Sequence, residues 1–161
     1  MQKQAVIRKA TRRDLDGIVA LARELMDFHK ARDPFFTRSA DFDTLFGRFA
    51  LRNIRSTAAC VLVATVNERI MGYCQGMLDR HPPSIIESEY GLIIDFCVTA
   101  GYRRSGVGEQ MFTAMRDWFR AQGIRRIEVR HSTFNEIAAR FWPKMGFTPY
   151  LRTLFLDLEL T

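Results

Sequence analysis

A chain of 161 residues, 47% hydrophobic and 26% charged, has ordinary globular composition, which excludes a disordered or collagen-like chain and favours one domain over residues 1–161. Its 24 Lys and Arg against 18 Asp and Glu give a net charge of +6, which favours an anionic partner (a phosphorylated cofactor, nucleic acid or an acidic surface) without choosing among them. No stretch approaches the roughly 18 apolar residues of a membrane span and the first residues lack an apolar leader core, so the expected location is cytoplasmic, with no membrane partner.

In chain order, Ala5–Ala10 reads as a short strand, and Thr11 with Asp14 three residues on forms a capping-box variant that opens a helix. Leu15, Ile18, Val19, Ala22, Leu25 and Met26 give that helix an apolar face, and Asp33-Pro34 interrupts it. A second helix carries Phe42, Leu45, Phe46, Phe49 and Ile54. The β-rich runs Ala58–Val66 and Ile70–Leu78, split by Asn67-Glu68-Arg69, predict a hairpin. A loop over Asp79–Glu89 leads to Gly91–Val98 (GLIIDFCV), the strongest strand pattern in the chain. A helix over Gly106–Gln122 ends at Gly123, and Ile124–Val129 is a further strand. Asn135 caps a short helix ending near Met145, and Tyr150–Leu160 alternates as a final strand. The expected fold is mixed α/β: a central, mostly antiparallel sheet flanked by about four helices.

Three cysteines, Cys60, Cys74 and Cys97, lie in apolar runs and read as buried reduced thiols. None has a sequence tie to His29, His81 or His131, as a thiol nucleophile would need, and no His, Cys or carboxylate cluster has metal-ligand spacing. No metal is therefore expected. RNP-like, zinc-finger and helix-turn-helix signatures are missing too, so nucleic acid is not an expected partner.

The informative stretch is Asp95–Gly108 (DFCVTAGYRRSGVG): a buried strand ends, a turn carries two arginines, and two glycines open a long helix. Glycines let backbone N–H groups approach a ligand, and a helix N-terminus offers unpaired donors at a positive dipole end. This describes a diphosphate site. Gly101 and Gly106 have Walker A spacing, but Val107 stands where that loop needs Lys; Gly106-x-Gly108 is followed by Met111, not by the third Gly or Ala of a dinucleotide fingerprint.

The remaining pattern, Arg103-x-x-Gly106-x-Gly108 between a strand and a helix, resembles the acyl-CoA pyrophosphate loop of the GNAT N-acetyltransferases. Asn135 through Phe147, with Ala138, Phe141, Trp142 and Gly146-Phe147, looks like the second signature of that family, in the family's order. The resemblance implies acetyl-CoA as co-substrate and a small-molecule or peptide amine as acceptor, in a ternary complex. It implies that backbone groups of Phe96, Cys97 and Val98 pair with the pantetheine arm, and that the Val98 amide is the oxyanion donor. Arg103, Arg104, Ser105, Gly106, Val107 and Gly108 would hold the pyrophosphate, with Lys144 as an added cation, while Asn135 hydrogen-bonds the cofactor beside Phe141.

Such a reaction needs a base, an oxyanion site and a path for the departing thiolate. GNAT enzymes often place a Tyr acid four residues before the Gly of Gly-Phe; Trp142 stands there, and an indole N–H is no proton source. Tyr150 is the substitute candidate acid, against a packing role. Asp95 is the candidate base, being the only charged residue in GLIIDFCV, and plain alternation puts it on a face with Ile93 and Cys97. A structural carboxylate is the alternative. Glu87, Glu89 and His131 are secondary candidates for binding a cationic amine or relaying a proton. A non-catalytic acyl-CoA sensor is the competing function, and the apolar final strand offers a surface for a homodimer.

Overall fold

The computed structural model describes residues 5–158. Five strands form one sheet in the order β1 (Val6–Lys9), β2 (Ala59–Val66), β3 (Arg69–Arg80), β4 (Glu89–Val98) and β5 (Ile127–Val129). The first four run antiparallel, and β5 joins β4 in parallel. Helices α1 (Leu15–Lys30) and α2 (Phe42–Arg55) cover one face; α3 (Val107–Ala121) and α4 (Glu136–Lys144) cover the other. This is the mixed, mostly antiparallel sheet with four helices that the sequence implies.

Local chemistry explains the joints. The Thr11 N–H donates to Asp14 Oδ2 at 2.7 Å, and Asp14 takes a two-pronged ion pair from Arg8 at 2.8 Å, so the entry to α1 is pinned to β1. Asn67 and Glu68 both adopt positive φ (50° and 64°), the backbone of a two-residue hairpin whose twist matches its strands. Gly91 lies under Phe119 of α3; a Cβ there would stand 2.5 Å from the ring, so only glycine lets α3 approach β4 this closely.

Two cores result. Between sheet and α3/α4 lie Cys60, Leu62, Cys74, Ile93, Met111, Phe112, Met115, Phe119 and Trp142. Between sheet and α1/α2 lie Ile18, Leu21, Ala22, Ala50, Val61, Val63, Tyr73 and Cys97. All three cysteines are buried and unpaired, and burial pushes the thiols of Cys60 and Cys97 up to about 11 and about 12.

Two expectations are corrected. Register runs Gln75↔Asp95 and then Gly76↔Ile93, so Ile94 is an extra residue in β4. This bulge reverses the alternation. Ile93 faces α3, whereas Asp95 shares the α1/α2 face with Cys97, not with Ile93 as simple alternation predicts. Second, Tyr150–Leu158 forms no strand and is exposed throughout; residues 159–160 of the expected strand lie outside the described residues. Tyr150 rests by its side chain on Glu128 of β5, but no backbone group of the segment pairs with a strand of its own chain, so alternation there found no ladder to join.

Candidate functional site

The bulge also shapes the site. β5 pairs only with Gly91, Leu92 and Ile93, so beyond Ile94 the two strands part and one edge of β4 is left open. The Thr99 N–H donates to Met71 O at 2.9 Å. Backbone groups of alternate residues point to the same side, which turns those of Cys97 and Asp95 toward β3 and those of Phe96 and Val98 toward the opening. Val98 O accepts from Arg103 Nε at 3.0 Å, while the Val98 N–H and the Phe96 backbone have no partner among the described residues. Of the three residues expected to present backbone groups, Cys97 therefore does not, and its Sγ lies 3.8 Å from Leu21 O of α1.

The loop after β4 is clamped by α1. Glu24 accepts from Thr99 Oγ1 at 3.0 Å and from the Ala100 N–H at 3.2 Å, and it stands 3.8 Å from the Arg103 guanidinium. Arg103, held also by Val98 O and set over the Phe28 ring, is folded back along the loop. Arg104 differs: its backbone is left-handed (φ 62°), and its guanidinium has no ionic partner among the described residues. Ser105 Oγ donates to Tyr102 O at 2.6 Å. Gly106, at φ 84°, turns the chain into α3, whose first internal bond runs from the Gln110 N–H to Gly106 O. The amides of Val107, Gly108 and Glu109 precede it and carry no side-chain cap.

Across the opening stands α4, capped by Asn135 Oδ1 accepting from the Ala138 N–H at 3.0 Å. Phe141 packs on Gly108 and on the Phe96 ring, 5.3 Å between centroids. Pro143 lies in the last turn, where the helix runs one residue further before Gly146 (φ 93°) ends it. Trp142 is buried among Phe96, Phe112, Phe141 and Phe147, where they form an apolar wall.

Together these elements enclose a cleft of about 460 Å³. It is lined by nine of the sequence-selected residues: Phe96, Cys97, Val98, Arg103, Arg104, Gly106, Gly108, Asn135 and Phe141. Ser105 and Val107 are not part of its wall, and Val107 is buried in the core. Lys144 lines it but is paired with Glu109. Among the described residues no group of three His, Cys, Asp or Glu side chains is placed to hold a metal ion.

The candidate catalytic groups are dispersed. Asp95 sits on the far face of β4 from α4, half-buried, its Oδ2 accepting from Gln75 Nε2 at 2.8 Å. Gln75 is fully buried and accepts in turn from Asn53 Nδ2 at 3.0 Å. Burial pushes the Asp95 carboxyl up to about 6, against the pull of the Gln75 hydrogen bond. Tyr150 does not reach the cleft: its hydroxyl donates to Glu128 on β5 at 3.0 Å and its ring lies under Arg126. Tyr150 thus stands outside the cleft wall, bound to a carboxylate of β5. Glu87 and Glu89 are exposed partners of Arg125 and Arg80, and His131 is exposed, outside the cleft wall.

Sequence reasoning missed Leu25 and Phe28, which line the cleft from α1, and the Glu24 clamp. An amphipathic helix pattern gives no sign of which turn meets a distant loop. It also missed Gln75, although a Gln inside the apolar run MGYCQGML was a readable signal.

The sequence profile of the Acetyltransferase (GNAT) family matches residues 19–147. The chain belongs to the GNAT acetyltransferase family. Among solved structures, it is similar to a tetramutant of the BH1408 protein from Bacillus halodurans at 27% identity, TM-score 0.86, covering 95% of this chain and 99% of that one. It also shares its fold with AAC(6')-Iy bound to the bisubstrate analogue CoA-S-monomethyl-acetylneamine (18% identity, TM-score 0.76, 98% and 100% of the two chains). A third likeness is to the aminoglycoside 6'-N-acetyltransferase AAC(6')-IG from Acinetobacter haemolyticus (13% identity, TM-score 0.75, 97% and 99%). A comparison with curated protein sequences found no match. Among the described residues no helix of this GNAT chain is long and apolar enough to cross a membrane.

Proposed function

We propose that this chain is a single-domain N-acetyltransferase that moves an acetyl group from acetyl-CoA to a primary amine, by direct attack in a ternary complex. One observation carries the reading: the open backbone edge of Phe96 and Val98 runs straight into the uncapped N-terminus of α3, within one cleft. A pantetheine arm pairs with such an edge as an added strand, and a pyrophosphate suits the amides of Gly108 and Glu109 with Arg104 beside them. Arg103 acts by holding Val98 and the loop in place. The AAC(6')-Iy structure, with a CoA-linked aminoglycoside analogue on a similar fold, supports the same donor and an amine acceptor.

In this reading the Val98 N–H donates to the thioester oxygen as negative charge develops there. Asp95, on the α1/α2 face of the same strand, takes the proton from the acceptor ammonium, directly or through a water. The amine nitrogen then bonds to the carbonyl carbon, the C–S bond breaks, and the second proton lost by the nitrogen passes to the departing thiolate. With a thiol pKa near 8.5, CoA is a fair leaving group, so neither Tyr150 nor Trp142 is needed as an acid.

Calorimetry of acetyl-CoA with the apo protein tests the site, and absence of binding removes the reading. Free CoA released across a panel of small amines and peptides tests the reaction. The observation that no phenol lines the cleft favours a second reading, a non-catalytic acyl-CoA sensor. Saturable binding with no CoA release on any amine would select it.

A further inference from the structure

Two buried side-chain polar atoms have no hydrogen-bond partner among the described residues, and one of them is the Tyr73 hydroxyl. Tyr73 is fully buried on the α1/α2 side of the sheet, among Ile18, Leu21 and Ala22 of α1 and Ala50 of α2. The Phe46 ring of α2 meets its ring edge to face at 6.2 Å between centroids. Phenylalanine would fill the same space without the cost of burying an unpaired hydroxyl, so this oxygen needs a partner.

Strand register supplies one. Tyr73 stands opposite Cys97, and Gln75 stands opposite Asp95, so Tyr73 is the diagonal neighbour of Asp95 on one face of the sheet, within reach of an aromatic side chain. Asp95 accepts from Gln75 Nε2 through Oδ2 alone, and its Oδ1 accepts from no described group. Two buried polar atoms beyond direct hydrogen-bond range are joined by a bridging water, and the second Nε2 proton of Gln75 offers that water a third partner. Burial and the Gln75 hydrogen bond, not a cation, hold the Asp95 carboxyl at about 6. Burial and then Asp95 push the Tyr73 phenol well above its ordinary value, and Cys97 stands at about 12, so both neighbours are uncharged. From the helices, α1 brings Glu24, tied to Thr99 and Ala100, and α2 brings the neutral Asn53.

We propose that Tyr73 is a positioning residue for Asp95: its hydroxyl donates to a buried water that donates in turn to Oδ1, holding the carboxylate between Tyr73 and Gln75 for the acceptor amine. The role rests on the acetyl-transfer reading, but the water and the titration of Asp95 are read without turnover. Tyr73→Phe keeps the ring and removes the donor. By carbon-13 NMR of its carboxyl, Asp95 in the variant should be about tenfold weaker as an acid. The acidic limb of kcat should follow it, while the KM for acetyl-CoA stays within twofold. A crystal structure of the wild type should show a water within hydrogen-bond distance of the Tyr73 hydroxyl and Asp95 Oδ1, and Tyr73→Phe should lack it. A Tyr73 hydroxyl found dry or bonded elsewhere overturns the proposal. So does an Asp95 titration that Tyr73→Phe leaves unmoved, even where kcat falls. With the water and the shift in place, a wild type that releases no CoA on any amine would sink the acetyl-transfer reading and leave the hydrogen bonds standing.

Discussion

Asp95 carries opposing demands at the scale of a single residue. Its carboxyl is pushed up to about 6 by burial, so in the folded protein it stays protonated to higher pH than in the unfolded chain. Between the unfolded value near 3.8 and about 6 the folded state holds the extra proton, and stability therefore falls as pH rises through that window. Above it the penalty is complete, about 3 kcal/mol. Asp95→Asn keeps an acceptor for Gln75 and removes the penalty, so at pH 7.5 the variant should melt at or above the wild-type temperature while its turnover falls at least a hundredfold. A variant that melts lower and keeps its activity would assign Asp95 a structural role. Gln75 tunes the same group. Its hydrogen bond favours the carboxylate, so Gln75→Leu should move the acidic limb of kcat roughly one unit to higher pH with little change in acetyl-CoA affinity. An unmoved limb would separate the limb from Asp95.

At the scale of elements, the helix entries do the positioning. Asp14 ties β1 to α1, and the Arg8 hydrogen bonds hold its carboxyl down to about 2 despite burial. A depressed carboxyl stabilises above its unfolded value and loses that contribution as pH falls from about 4 to 2. With Arg8 nearly half exposed, the contribution is on the order of 1–2 kcal/mol, so Asp14→Asn should lower the melting temperature by about 3–8 °C at pH 7. The two proteins should converge at pH 2; a constant difference across pH would exclude the ion pair as the cause. At α3 the entry faces the cleft instead. Arg104→Ala removes a cation with no ionic partner among the described residues, and acetyl-CoA should bind five- to fiftyfold more weakly by calorimetry, with the fold intact. Arg103→Ala, by contrast, should loosen the loop that Glu24 and Val98 hold, and should cost stability as well as affinity.

These elements also mark how far a sequence can be read. The Gly106/Gly108 turn, the Asn135 cap and the Thr11/Asp14 box were legible because each is a local device with its chemistry in consecutive residues. The Ile94 bulge was not, since a register slip is decided by which residues of β3 stand opposite, and it alone reversed the face assigned to Asp95. Tyr150 was chosen for its proximity in sequence to Gly146-Phe147, yet Pro149 and the exposed segment carry it to Glu128. The alternation over Tyr150–Leu160 predicts a strand, yet the described part of it forms none: without a ladder to join, pattern alone makes no strand.

For the whole molecule, the sheet divides the protein into two halves with different tasks. The α3/α4 side, with the parting of β4 and β5, holds the cleft; the α1/α2 side holds Asp95, Gln75 and Asn53. A donor filling the cleft ties β4, the loop after it, α3 and α4 together, but touches α1 only through Leu25 and Phe28 and α2 not at all. At a hundred times its dissociation constant such a ligand stabilises the protein by about 2.7 kcal/mol wherever it binds, so a melting shift alone does not locate it. Hydrogen exchange does. Acetyl-CoA should slow the amides of residues 96–109 and 135–141 and leave α2 and the β2–β3 hairpin unchanged. Protection centred on the Arg48, Arg52 and Arg55 face of α2 would instead place the phosphates in the groove there and move the donor site to the other side of the sheet.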